Sequence, residues 1–447
     1  MVELGIAGTA ASVNTSGDVV GTWGTSAGLP PRGYVWRNGV RTDLPLDSDA
    51  YGNYGTVINE SGQIGGFHHF LSASAFGEQQ ATVWNGVTSP VLIGNRTRWS
   101  NVDHLNSAGQ ATLNGTSSET NLVNLTDMQD LFWSPATGIV ALGDLGGGAR
   151  GAEDINESGT VVGVSPLTPG DDRSGRAFAW TFTGGMRDLG TLGGASSWAQ
   201  AVNARDEVVG AAATAAEGGG KPVKWVGGVA QQLDTLQGSA NDVNNSGHAV
   251  GWRLIDGRQH ATLWRDGVAI DLGAGPGSEA VRINDLDVIL GRSPTGPFVW
   301  TNPAEGPVLL PTLGGENRFA GDCTAGNFIA GWSRTAEADA GPQAVRWEVQ
   351  VTPLSDDGAI VDLQTSVEEL EEGGAINTGE ANSLDAKLEG ALMQCERGNE
   401  TAARHQIEAF INHTRALVRS GRLAASDGDA LIAEAEALLA GLDCSAG

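Results

Sequence analysis

The sequence predicts a mainly β protein, an eight-bladed β-propeller followed by a small antiparallel three-helix bundle. Three observations carry that expectation. A phrase of the form A-x-x-(I/V)-N-x-x-G-x-V-V-G recurs down the first 350 residues of the chain, and an apolar stretch ending in Trp follows each copy. Near residue 380 the apolar spacing changes from strand-like to helical.

The repeat is read copy by copy. Its instances are SVNTSGDVVG (Ser12 to Gly21), VINESGQIGG (Val57 to Gly66), DINESGTVVG (Asp154 to Gly163), AVNARDEVVG (Ala201 to Gly210) and DVNNSGHAVG (Asp242 to Gly251). RINDLDVILG ends at Gly291, DCTAGNFIAG ends at Gly331, and a degenerate copy, HLNSAGQATLNG, runs from His104 to Gly115. The closing tryptophans are Trp36, Trp84, Trp133, Trp180, Trp225, Trp264, Trp300 and Trp347, spaced 36 to 49 residues apart. They are expected in the blade core.

Each unit reads as four short strands. Asn14, Asn59, Asn156, Asn203, Asn244 and Asn284 open a tight turn, where the side chain can bond to backbone two residues on. The fourth turn position holds Gly17, Gly62, Gly109, Gly159 or Gly247, and in three copies Asp206, Asp287 or Asn327. Gly, Asn and Asp are the residues that tolerate a left-handed backbone, so the substitution pattern predicts positive φ there. The Gly that ends the returning strand permits a close neighbour or a sharp exit. A third strand such as AFAW (Ala177 to Trp180) and a fourth such as MRDL (Met186 to Leu189) complete the unit.

One such unit cannot bury both faces, so blades stacked around an axis supply the core and shield strand edges. Seven blades with the degenerate copy absorbed, or an open solenoid, are the alternatives. Either VELG (Val2 to Gly5) or VTPL (Val351 to Leu354) could complete the other's blade.

The phrases DLGTLGG, AxxxNxxGxVVG and AFxW resemble the HAF-type extracellular repeats of bacterial and archaeal secreted proteins, over about residues 2 to 354. That family has no agreed chemistry. The resemblance implies a secreted or cell-surface location and an architecture.

After Leu354 an acidic, glycine-containing stretch, 355–379, reads as a linker with at most one short helix. From 380 to 447 three helices are expected. Asn382 or Ser383 caps the first, which carries Leu384, Leu388, Ala391, Leu392 and Cys395. Gly398 and Asn399 end it. Ile407, Phe410, Ile411 and Leu417 line the second, and Ser426 caps the third. NSLDAKLEGAL and NETAARHQIEAFINHTRALV resemble the FIMAH domain, an accessory helical module of secreted bacterial proteins. Leu423 departs from its usual Ile. In such a bundle helices one and three run parallel, bringing Cys395 near Cys444. A disulfide or two free thiols both fit, with Cys323 left over.

Composition narrows the function. The formal charge is −27, with Lys221, Lys224 and Lys387 the only lysines, which disfavours nucleic acid and anionic lipid. No apolar run is long enough to span a bilayer, and no signal peptide is visible at the start. HExxH, P-loop, GxSxG and dinucleotide-binding signatures are missing. LGDLGGG (Leu142 to Gly148) reads as a turn. His68, His69, Asp103 and His104 lack metal-ligand spacing. Structural Ca²⁺ is the only cofactor entertained, with Asp47 and Asp49 or Asp171 and Asp172 as loop acids.

Among the tryptophans outside the repeat position, Trp23, Trp252 and Trp332 suit edge packing. Trp99 and Trp198 sit where a propeller displays its loops and are candidates to stack on a sugar or anchor a protein. A noncatalytic extracellular binding or scaffold protein, taking a glycan or another extracellular protein, is the expected function. The alternative is a propeller polysaccharide lyase or glycoside hydrolase acting through carboxylates near the central channel. That alternative requires unlike polar residues that break the repeat at a channel mouth, and the sequence displays no convergent set of Asp, Glu, His and Arg.

Overall fold

In the computed structural model the chain forms two compact units, Met1–Gln350 and Val351–Gly447. The structure describes every residue except 25–28, 72–76, 89, 98–99, 117–127, 149–150, 170–174, 216–218, 266, 302–305, 324–326, 337–340, 350–359, 361–362, 365, 369, 372, 396–398 and 443–447.

The first unit is mainly β. Among the described residues it contains six sheets of four antiparallel strands and one sheet of seven, almost all in sequential order. The large sheet arises because one strand, Val2–Val13, serves two neighbours. Val2 and Glu3 pair with Arg346 and Val345, whereas Gly8 to Val13 pair with Trp23 to Val19. The N-terminal phrase thus completes the last copy's sheet, and VTPL lies outside the described residues. Leu4 and Ile6 are buried with Ala330 and Ala344 at this closure.

Register repeats from copy to copy. The repeat Trp always faces one of the first two residues of the second strand, as in Val19↔Trp36, Val161↔Trp180 and Ile329↔Trp347. All eight of these tryptophans are buried. Hydrophobic clusters form between consecutive sheets: Val20, Val35 and Leu44 pack with Ile58, Ile64 and Trp84 of the next copy. Outermost strands such as Val40–Asp43 are exposed along their length. Stacking sheet upon sheet is what removes the apolar faces from water, because a single four-stranded sheet has no partner for either face.

The turn residues Gly17, Gly62, Gly109, Gly159, Asp206, Gly247, Asp287 and Asn327 have φ between 56° and 84°. Each first strand also carries a bulge three residues before the turn position of Asn14, as at Ala10/Ser12, Ala152/Asp154 and Ala240/Asp242. The bulge swings a carbonyl over the glycine of the second strand. A Cβ added to Gly21, Gly66, Gly163, Gly210 or Gly251 would lie 1.9–2.0 Å from that carbonyl oxygen. Close approach, rather than a sharp exit, is why glycine stands there.

The second unit is helical: α1 is Thr378–Cys395, α2 Glu400–Arg419 and α3 Ala425–Gly441. The stretch 355–379 is more than a linker. Described residues from 360 to 371 include a further helical segment, and Ile360, Leu363 and Val367 are buried in one core with Leu384, Phe410 and Leu431. Helix caps also differ from the expected ones. Asn377 caps α1, accepting the Glu380 N–H at 3.1 Å while Glu380 accepts the Asn377 N–H at 3.0 Å, a reciprocal capping box that Asn382 and Ser383 cannot form from inside the helix. Asn399 caps α2, and Ala424 precedes α3 without a side-chain cap. Cys395 is disulfide-bonded; Cys444 lies outside the described residues.

Candidate functional site

The repeat asparagine makes two kinds of bond. Its Oδ1 accepts a backbone N–H four residues on, from Asp18 for Asn14, Gln63 for Asn59 and Thr160 for Asn156, at 2.8–3.0 Å. Its amide nitrogen donates to the backbone carbonyl of the equivalent asparagine in the next copy. The chain of donors runs Asn14 to Asn59 (3.4 Å), Asn59 to Asn106 (2.7 Å), Asn106 to Asn156 (2.9 Å) and Asn156 to Asn203 (2.8 Å). It continues from Asn203 to Asn244 (2.9 Å) and Asn244 to Asn284 (3.1 Å). The sequence pointed only to the local turn; the girdle between copies is a tertiary feature.

Two further sets of hydrogen bonds between copies flank it. On the turn side, Glu60 accepts the N–H and hydroxyl of Thr15, and Glu157 those of Ser107. Asn245 accepts the Ala204 N–H at 2.9 Å, and Asp285 the Asn245 N–H at 2.8 Å. On the inner side, Asp154 accepts the Ile155 and Val202 N–H groups at 2.8 and 2.9 Å. Asp242 accepts those of Val243 and Ile283 at 3.0 and 2.8 Å. The bulge makes this possible by re-aiming its side chains at the open edge of the next first strand. A cavity of ≈ 370 Å³ opens on the turn side, with Glu60, Glu157, Asn245 and Asp285 in its wall.

Two residues before each repeat asparagine, the copies differ sharply: Ser12, Val57, His104, Asp154, Ala201, Asp242 and Arg282. The sequence displayed no convergent set of Asp, Glu, His and Arg; in the fold, His104 and Asp242 each feel the charges of Asp154 and Arg282. Burial pushes the His104 imidazole down, with Asp154 opposing and Arg282 reinforcing, so the ring is held neutral. Its Nδ1 lies 3.0 Å from the Thr112 hydroxyl. The Asp242 carboxyl is pushed up to about 6, chiefly by burial, against Arg282 and the Ile283 N–H and with help from Asp154. These groups lie almost 180 residues apart along the chain, which is why linear spacing hid them. The signal available was the column itself, one residue type per copy in an otherwise regular repeat.

The other expected site residues fall elsewhere. Trp198 is half-buried on the strand Gly193–Val202, paired with Ala211. Trp99 lies outside the described residues, as do Asp171 and Asp172. Trp23 donates to Asp43 at 3.0 Å beneath the Arg41 guanidinium, and Trp252 and Trp332 are half-buried. His68 is buried; its Nε2 accepts the Asp47 N–H, its Nδ1 meets Thr82, and burial lowers its pKa to about 4. Asp47 accepts the Asp49 N–H in a local turn. No group of three His, Cys, Asp or Glu among the described residues is arranged to hold a metal.

Residues 360–440 match the FIMAH domain. The match takes in the helical segment from Ile360, so the FIMAH core includes residues upstream of α1. Two solved structures resemble the chain. TolB from Acinetobacter baumannii has 10% identity and a TM-score of 0.32, with 55% of this chain and 60% of TolB covered. XC5397 of Xanthomonas campestris, described as a gluconolactonase, has 12% identity and a TM-score of 0.28, with 67% and 86% covered. This chain thus spans less than two thirds of TolB. No curated protein matches it. No helix among the described residues is long and apolar enough to cross a membrane.

Proposed function

We propose that the chain is a secreted, noncatalytic binding protein: an eight-bladed propeller of HAF-type repeats that presents a glycan site at its channel mouth. The FIMAH domain serves as accessory or attachment module, with Cys395 joined to Cys444. Eight sequence copies and the strand shared between the first and last sheets support the blade number. The observation that carries the binding reading is the state of the mouth carboxylates. Glu60, Glu157, Asp154 and Asp242 each brace a neighbouring copy through backbone N–H groups. Glu60 and Glu157, fixed acceptors in the wall of an open polar cavity, suit sugar hydroxyls and are poorly placed to exchange protons with a substrate.

A second reading, a lyase or glycoside hydrolase of polysaccharides, draws on Asp242, whose raised pKa beside Arg282 and His104 would suit a general acid. One experiment separates the two. The full chain is screened on a glycan array, and each bound glycan is incubated with it in solution. Binding without new reducing ends or unsaturated uronate supports the platform. Turnover abolished by Asp242→Asn overturns it in favour of the enzyme, and no binding at all removes the glycan.

A further inference from the structure

The turn-side cavity has a wall of one charge. The residue after the repeat asparagine is Glu60, Glu157 and Asp285 in the second, fourth and seventh copies and is uncharged in the others. All three carboxylates are exposed and line the cavity, and no Lys, Arg or His lines it with them. None of the three enters an ion pair among the described residues. Other acids of the same turns do: Asp18 meets Arg37, Glu207 meets Lys224 and Asp287 meets Arg265. Uncompensated charge of one sign in a concave wall focuses the potential inside it.

The same wall is poor in donors. Asn156 spends both amide hydrogens, on the Asn203 carbonyl and on Asp206. Asn203 spends its pair on the Asn244 carbonyl and Glu207, and Asn244 on the Asn284 carbonyl and Asp287. Backbone N–H groups facing the next copy are taken as well, Thr15 by Glu60, Ser107 by Glu157 and Ala204 by Asn245. Val202 and Ile283 give theirs to Asp154 and Asp242. A carboxylate has about four lone-pair directions, so Glu60 and Glu157 keep acceptor capacity after these bonds. A uronate or sulfate meets neither a cation nor a spare amide here. Sugar hydroxyls meet acceptors, and an ammonium meets acceptors and opposite charge together.

Resting on the glycan reading above, we propose that this cavity selects glycans bearing free amines, chains of glucosamine type, over neutral and anionic ones, with Glu60, Glu157 and Asp285 setting the preference. Its volume of ≈ 370 Å³ is that of a small-ligand site, so it takes a short stretch of the chain at a time. Val13, Val57, Ile155 and Val243 supply apolar wall for the C–H faces of the sugar rings. The three acids come from copies far apart in sequence, and each reaches the cavity because the preceding copy's turn holds it there.

The test is calorimetric titration of the full chain with a glucosamine oligomer, its N-acetylated form and a uronate oligomer of equal length. The amine form is expected to bind at least about tenfold more tightly than the acetylated form, and the uronate not at all. Added salt, or a pH high enough to neutralise the amine, should erase the difference. Glu60→Gln, Glu157→Gln and Asp285→Asn each keep an oxygen for the N–H they brace and should weaken the amine form about threefold, and together abolish the preference. Asp256→Asn, in an exposed turn, should change nothing. Equal affinity for the amine and acetylated forms, tighter uronate binding, or array glycans bound without the amine form overturns the proposal and leaves the glycan reading standing. A preference that persists in the triple variant overturns it by tracing the attraction to the overall charge of −27. No binding to any glycan overturns both. If the triple variant fails to fold, the single variants decide: unchanged affinity in all three overturns the proposal.

Discussion

The side-chain amide of Asn59 donates to the backbone carbonyl of Asn106 at 2.7 Å while its own Oδ1 accepts the Gln63 N–H at 2.8 Å. One buried side chain thereby closes a turn and links two sheets that are 47 residues apart in sequence. The same pair of bonds recurs from copy to copy, so the commonest residue of the repeat acts as a structural brace. Asn59→Ala leaves a buried carbonyl and an N–H unpaired and should cost about 1–3 kcal/mol. Urea denaturation checks this, and a change within about 0.5 kcal/mol would make the girdle dispensable.

Gly210 faces a different constraint. A Cβ there would sit 1.9 Å from the Trp198 carbonyl oxygen, a backbone atom that cannot turn aside. Gly210→Ala should therefore destabilise by about 3 kcal/mol or prevent folding, far beyond its effect on an ordinary strand. Gly257→Ala, where φ is 75° but the space is open, provides the contrast in the same thermal melt and should cost only about 1–2 kcal/mol.

The pH dependence of stability should carry the mark of Asp242. Its folded pKa, about 6, exceeds the ordinary 3.8, so the folded chain holds that proton more tightly than the unfolded chain. Its contribution is greatest below the unfolded value, falls as pH rises towards about 6, and is flat above. Asp242→Asn should remove that part of the fall, on the order of 3 kcal/mol at most. Denaturation midpoints across this window for both proteins measure it; parallel profiles would contradict the assignment.

Thiol titration of the denatured, unreduced chain should find one reactive cysteine of the three. Cys323 is the expected one, because Cys395 is disulfide-bonded. Cys395→Ser should expose a second thiol on Cys444 and cost about 3 kcal/mol. Two free thiols in the parent chain would exclude the Cys395–Cys444 pairing.

The repeat, its strand pattern, the core tryptophans and the left-handed turn residues were readable from the chain because each is local. A turn such as Asn14 to Asp18 closes within five residues, and swapping Gly for Asp or Asn among copies reports its backbone directly. A short helix within 355–379 was legible, but the burial of Ile360, Leu363 and Val367 was not, because three apolar residues in an acidic stretch show a buried face only once a core is there to receive them. What only the tertiary structure decided is which residues meet across copies. Asn59 finds Asn106 and Asp154 finds Val202 because sheet stacking and a bulge aim them at a neighbouring sheet. Contacts between units depend on how the copies pack, and no pattern within a single copy encodes them.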